Sequence, residues 1–257
     1  LASKSIEGMK SQGILPVLKH YAGHGGASGD SHTELPTIDK SLEELRETDG
    51  LPFKMLAKKV AGVMTAHVVY PEVDRFNSAT FSSFLLKKML REEMGFEGLV
   101  VSDSLVMNGV VGKAKNFEEA KERVAMAAVS SFQAGCDLFI VGKLEWQDWE
   151  VSETEDQELI SFCIDYFYKK VQEGEISVAD LNDRFKRIID VKKTCYLKLA
   201  VLEKDSSLAS GTDDLGDEIS KKAITLASSK EMFDLYFRAK ESKTYLIVAP
   251  SVLKEQL

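Results

Sequence analysis

Gly98-Leu99-Val100-Val101-Ser102-Asp103 is the stretch on which the fold turns. Its run 98–102 is too short for a helix and unbroken enough for a strand buried on both faces, the pattern of a parallel sheet. Residues 14–18, 61–66 and 137–141 share its character. Around them the spacing predicts helices over 41–49, 52–59, 78–94 and 117–134. The third carries Leu85, Leu86, Met89 and Leu90 at core spacing and stops at Gly95; the fourth carries Val124, Ala127, Ala128 and Phe132 and stops at Gly135. Strands alternating with helices argue for an α/β architecture.

After Val141 the pattern changes. A polar loop leads to two long helices, over 156–172 and 178–199, and the next strand signal is 245–249. Residues 204–217, rich in Ser, Gly and Asp, read as a linker. The expected division is therefore 1–203, a linker at 204–217, and a second unit at 218–257. The 257 residues approach the ~250 of a complete (β/α)8 barrel, yet the barrel-like part supplies only four strands.

Composition narrows the function. With 33 basic and 41 acidic residues the net charge is −8, which disfavours nucleic acid held through phosphate contacts. The acidity is local: residues 142–218 hold 19 acidic against 10 basic side chains. No apolar run reaches the ~18 residues of a spanning helix, since the longest is interrupted by Asp103. Leu1-Ala2-Ser3-Lys4 lacks an initiator Met and the layout of a signal peptide, so a processed or truncated start is expected and the compartment, cytoplasm or cell envelope, stays open. Cys136, Cys163 and Cys195 lack metal-ligand spacing and read as buried free thiols.

The chemistry concentrates early. All four histidines, His20, His24, His32 and His67, precede residue 68, and three lie in the glycine-rich stretch 19–32 that follows the first strand. Loops after the C-terminal ends of parallel strands are where α/β barrels build active sites. Three readings of this loop compete. Zinc on His20, His24 and His32 is disfavoured by spacing and by the lack of a cysteine. An acid/base pair is favoured, with Asp30 two residues from His32, where a carboxylate fixes the imidazole tautomer. A turn whose histidines bond only to backbone is the plain alternative. Asp103 ends a core strand, where a carboxylate needs a reason; it is either a reacting group at the rim or a helix cap.

These residues resemble glycoside hydrolase family 3, and within it the bacterial β-N-acetylglucosaminidases. Lys19-His20-Tyr21-Ala22-Gly23-His24-Gly25 followed by Asp30-Ser31-His32 resembles the family's KH(F/Y)PGHG…DSH loop. Val63-Met64-Thr65-Ala66-His67-Val68 is similar to its next strand, and Leu90-Arg91-Glu92-Glu93 with Gly95-Phe96 and Gly98 to Asp103 to its nucleophile signature. Phe132-x-Ala134-Gly135-x-Asp137 resembles the last barrel strand. Ala22, in place of the family's proline, and Val106, in place of a small or polar residue, depart from the pattern.

The resemblance implies the C-terminal half of a (β/α)8 TIM-type barrel, about four strands, followed by the start of a second α/β domain. It implies a retaining exo-β-N-acetylglucosaminidase acting on peptidoglycan fragments or similar β-linked GlcNAc, with no cofactor and no metal. Asp103 would be the nucleophile and His32, oriented by Asp30, the acid/base. Lys19 and His20 would bind sugar hydroxyls; His67 would line the same pocket or brace its loops. The missing barrel half, with further sugar-gripping residues, is expected from a longer chain. Another family 3 β-glycosidase, a glycoside phosphorylase or a catalytically incomplete fragment are the alternatives.

Overall fold

Four parallel strands form the frame: β1 Val17–Tyr21, β2 Gly62–Thr65, β5 Leu99–Ser104 and β6 Leu138–Ile140, in the order β1-β2-β5-β6. A computed structural model describes residues 1–27, 29, 35–144, 149 and 151–202, with backbone alone at 153 and 195–202. The described residues belong to one compact unit, Leu1–Lys204. Asp30, His32, the expected linker and the expected second domain lie outside the described residues.

Register follows the apolar runs. Val17 and Leu18 pair with Gly62 and Val63, Gly62 and Val63 pair with Leu99 and Val100, and Val101 pairs with Leu138. Parallel neighbours need crossovers, and helices fill them. Between β1 and β2 run α2 Leu42–Glu47 and α3 Leu51–Leu56; between β5 and β6 run α4 Asn108–Val111 and α5 Phe117–Ala134. Ser41 and Glu44 cap α2 reciprocally, and Asn116 Oδ1 accepts the Glu119 amide at 3.0 Å to start α5. Gly135, at φ 134°, ends α5 in a conformation that only glycine adopts readily. Two long helices follow, α6 Glu153–Gln172 and α7 Val178–Leu202, close to the predicted spans.

Three elements differ from expectation. The first strand begins at Val17, three residues after the predicted start, because Pro16 precedes it and Ile14 is exposed. Lys19 and His20 are consequently inside β1. The predicted 78–94 helix is occupied by less helix than its periodicity suggests. Its start is the end of an antiparallel hairpin, β3 Val69–Tyr70 with β4 Asp74–Ser78, and helical winding begins only at Phe84. Ser82 Oγ, buried, accepts the Leu85 amide at 3.2 Å at that entry. The helix Phe84–Glu93 is wound wide, in π fashion, and buries Leu85, Leu86, Met89 and Leu90. A further helix, α1 Ala2–Ser11, precedes the sheet.

Asp137, immediately before β6, ties these layers together. Its carboxylate is fully buried; Oδ2 accepts from Arg91 Nη2 at 2.6 Å and the Val100 amide at 2.7 Å, and Oδ1 from Arg187 Nε at 3.1 Å, with Arg184 Nη1 at 3.6 Å. One side chain thus joins the wide helix, β5, β6 and α7. Cys136 and Cys163 are free and buried, and burial pushes the Cys163 thiol up to about 11 and Cys136 higher, so both stay protonated.

Candidate active site

Because the four strands are parallel, their C-terminal ends share one rim. β1 brings His20 there, β2 ends at Thr65, and β5 ends with Asp103 and Ser104. Asp103 lies partly exposed, with Oδ2 3.6 Å from His20 Nε2 and Oδ1 accepting the Ser104 amide at 2.8 Å. One carboxylate oxygen is pinned by its own backbone turn, and the other faces the histidine. Lys19 is exposed on β1. His24 meets His20 edge to face, with ring centroids 6.3 Å apart.

The loop leaving β1 is anchored at Gly23. Its amide donates to the His20 carbonyl at 2.8 Å, and its carbonyl accepts from Tyr70 Oη at 2.8 Å. Gly23 has φ 127°, and a methyl group added there would stand 2.3 Å from Asp49 Cβ. Asp49 in turn pairs with Lys40. Tyr21, fully buried, donates to the Leu85 carbonyl at 2.9 Å and packs edge-on against Phe53. The base of the loop is therefore fixed by contacts from α3, the hairpin and the wide helix.

His67 sits beneath this rim rather than on it. It is fully buried, both ring nitrogens are engaged, and the Phe81 ring lies nearly parallel to it at 6.4 Å. Nε2 lies 3.0 Å from the Ser104 carbonyl, and Nδ1 lies 2.8 Å from Thr80 Oγ1. Burial holds its pKa below the usual imidazole value, against the opposing pull of the Ser104 carbonyl and Asp103. The structure thus places His67 in the layer beneath the rim, bonded to the end of β5 and to Thr80.

The structure brings His20 and Asp103 together and sets His67 below them. Thr65, Thr80 and Ser104 join this group without having been anticipated; the available signal was that buried hydroxyls at strand ends need partners. Among the described residues no group of three or more His, Cys, Asp or Glu is placed to hold a metal ion. A separate apolar hollow, lined by Phe132, Phe139, Cys163, Phe167 and Phe185, contains none of the residues around Asp103.

Comparison with known proteins identifies the family. Residues 1–191 match the family described as "Glycosyl hydrolase family 3 N terminal domain". A protein of Idiomarina loihiensis named beta-hexosaminidase is 41% identical over 141 residues, covering 55% of this chain and 40% of its own length. One of the same name from Neisseria gonorrhoeae is 44% identical over 142 residues, covering 55% of this chain and 37% of its own. The chain thus spans well under half the length of these curated relatives. The solved glycoside hydrolase family 3 β-N-acetylglucosaminidase of a Paenibacillus species superposes with a TM-score of 0.63 at 25% identity, over 93% of this chain and 39% of that one. The β-N-acetylglucosaminidase of Thermotoga maritima does so with a TM-score of 0.58 at 28% identity, over 76% and 37%. The four-stranded parallel sheet, with Asp103 at its rim, and the family match over residues 1–191 lead to one conclusion: the chain belongs to glycosyl hydrolase family 3, in its N-terminal domain.

Proposed function

We propose that the chain carries the reacting groups of a retaining exo-β-N-acetylglucosaminidase acting on terminal β-linked GlcNAc, as in peptidoglycan fragments. The observation that carries this reading is the Asp103 carboxylate at the sheet rim, with one oxygen held by the Ser104 amide and the other turned toward His20. The names of the relatives, beta-hexosaminidase and β-N-acetylglucosaminidase, support the choice of sugar.

In this mechanism Asp103 Oδ2 attacks the anomeric carbon as the bond from that carbon to the leaving oxygen breaks. His32, oriented by Asp30, gives its proton to the leaving oxygen. Water then attacks the glycosyl ester, loses its proton to His32, and releases the sugar and the Asp103 carboxylate. Two displacements at one carbon retain its configuration. Lys19 and His20 hold ring hydroxyls. Asp30 and His32 enter on the Asp-Ser-His sequence, since they lie outside the described residues. An imidazole in place of a second carboxylate adds no negative charge beside the nucleophile. β1 and β6 are the outer strands of the described sheet, and the reading places the remaining barrel strands, with further sugar-gripping residues, in additional polypeptide.

The test is hydrolysis of p-nitrophenyl N-acetyl-β-glucosaminide against the matching β-glucoside, with and without phosphate, by the protein as its gene encodes it. The expected result is faster release from the amino sugar, retained anomeric configuration and no need for phosphate. A faster glucoside rate overturns the sugar assignment, and phosphate dependence replaces hydrolysis by phosphorolysis.

A further inference from the structure

We infer that His67, Thr80 and Thr65 form a closed hydrogen-bond ring that clamps the Asp103–Ser104 backbone and so positions the nucleophile. The inference rests on the reading of Asp103 above, and deepens it by assigning positioning residues in the layer beneath the sugar.

The direction of every bond in the ring follows from what each atom can do. The Ser104 carbonyl can only accept, so the contact at 3.0 Å requires a proton on His67 Nε2. A neutral imidazole then has a bare Nδ1, which can only accept, and its partner at 2.8 Å is Thr80 Oγ1. Thr80 has one proton, and two acceptors face it: Nδ1 and, at 3.1 Å, the Ala66 carbonyl. Donation to Nδ1 is the arrangement that leaves no bare nitrogen in the buried ring. Thr80 Oγ1 is then free to accept from Thr65 Oγ1 at 2.9 Å. Thr65 Oγ1 accepts the Asp103 amide at 3.3 Å.

The chain therefore runs from the Asp103 amide through Thr65, Thr80 and His67 to the Ser104 carbonyl, and the Asp103–Ser104 backbone closes it. Thr65, His67 and Thr80 are fully buried, so water does not compete for the bonds among them. The Ser104 amide, whose own carbonyl ends the ring, is the group that pins Asp103 Oδ1. A displacement of the ring moves the carboxylate, and a misplacement of about 1 Å can cost about 100-fold in rate.

The experiment compares Thr80→Val and Thr80→Ser in the full gene product, with an aryl N-acetyl-β-glucosaminide as substrate. Thr80→Val keeps the shape and removes the relay. It is expected to lower kcat about 10- to 100-fold with KM held within about twofold, whereas Thr80→Ser, which keeps the hydroxyl, stays within about threefold. Thr65→Val is expected to behave like Thr80→Val and takes its place if that variant fails to melt cooperatively. In the unsubstituted protein, ¹⁵N-histidine spectra should assign His67 a protonated Nε2 and a bare Nδ1. Undiminished kcat in both valine variants, a loss expressed in KM alone, or a proton on Nδ1 overturns the clamp. Asp103→Asn separates the two claims. If it retains turnover, the nucleophile assignment fails; if it is inactive while both valine variants turn over normally, the clamp alone fails.

Discussion

Replacing Asp137 by Asn is expected to be the most destabilising isosteric change in the described part of the chain. The carboxylate is fully buried, accepts hydrogen bonds from Arg91, Arg187 and the Val100 amide, and pairs at 3.6 Å with a third guanidinium, Arg184, the three arginines coming from two different helices. Asn has nearly the same shape but one oxygen, and its NH₂ group must face at least one donor. It also leaves three guanidinium charges close together without their shared carboxylate, beside an Arg184 Nε that has no hydrogen-bond partner among the described residues. Breaking a buried ion pair from one side costs about 3–5 kcal/mol. At about 2–4 °C per kcal/mol for a domain of this size, the melting temperature should fall by about 6–20 °C. The control is Glu93→Gln, which breaks the bidentate Arg46–Glu93 pair on the surface and should cost about 1 kcal/mol or less. Thermal and urea unfolding followed by circular dichroism measure both. A loss at Asp137 no larger than that at Glu93 would refute the hub.

Two further predictions concern the site. Gly23→Ala must place its methyl against Asp49 and hold a backbone angle that costs about 1–3 kcal/mol for a residue with a Cβ, so the loop leading to His32 should shift and kcat/KM fall at least about tenfold; unchanged kinetics would show that the Gly23 turn does not set the loop. The depressed pKa of buried His67 makes stability depend on pH with a definite sign. The unfolded chain takes up this proton at about pH 6.5, the native state only lower, so the contribution is complete above that pH and is lost as pH falls toward the folded value, at up to about 1.4 kcal/mol per pH unit. Urea midpoints measured on the acid side of pH 6.5 should fall less steeply in His67→Gln, and an unchanged slope would mean that His67 is charged in the native state.

The middle of the sheet was legible because β2 and the first half of β5 are short, apolar and mostly buried, a combination that few other elements share. Residues 61–66 and 98–102 differ from β2 and β5 by a residue or two at each end. The first strand was misplaced because Ile14 and Leu15 look like core, whereas the chain straightens only past Pro16 and runs on through Lys19 and His20. The hairpin was invisible for the opposite reason: β3 has two residues, and Asp74-Arg75-Phe76-Asn77-Ser78 is mostly polar and exposed, with no period-2 alternation to read. At the site, Asp103 stood out because a carboxylate ends an apolar run. The threonines did not. A hydroxyl at the end of a strand carries no sign of its partner until Thr65, Thr80 and His67, separated by up to 15 residues, are brought within hydrogen-bond distance. Glycine spacing marked the loop at 23–26, but the need for glycine at Gly23 comes from Asp49, a residue 26 positions away.

The proposed covalent bond between Asp103 and the sugar can be tested directly. A 5-fluoro N-acetylglucosaminyl fluoride slows both displacements through its ring fluorine while its good leaving group favours the first, so the glycosyl-enzyme accumulates. Peptide mass spectrometry of the trapped protein should show one sugar per chain, on the peptide containing Asp103 and on that side chain. A sugar attached to any other residue, or continued turnover with no adduct, would contradict the account.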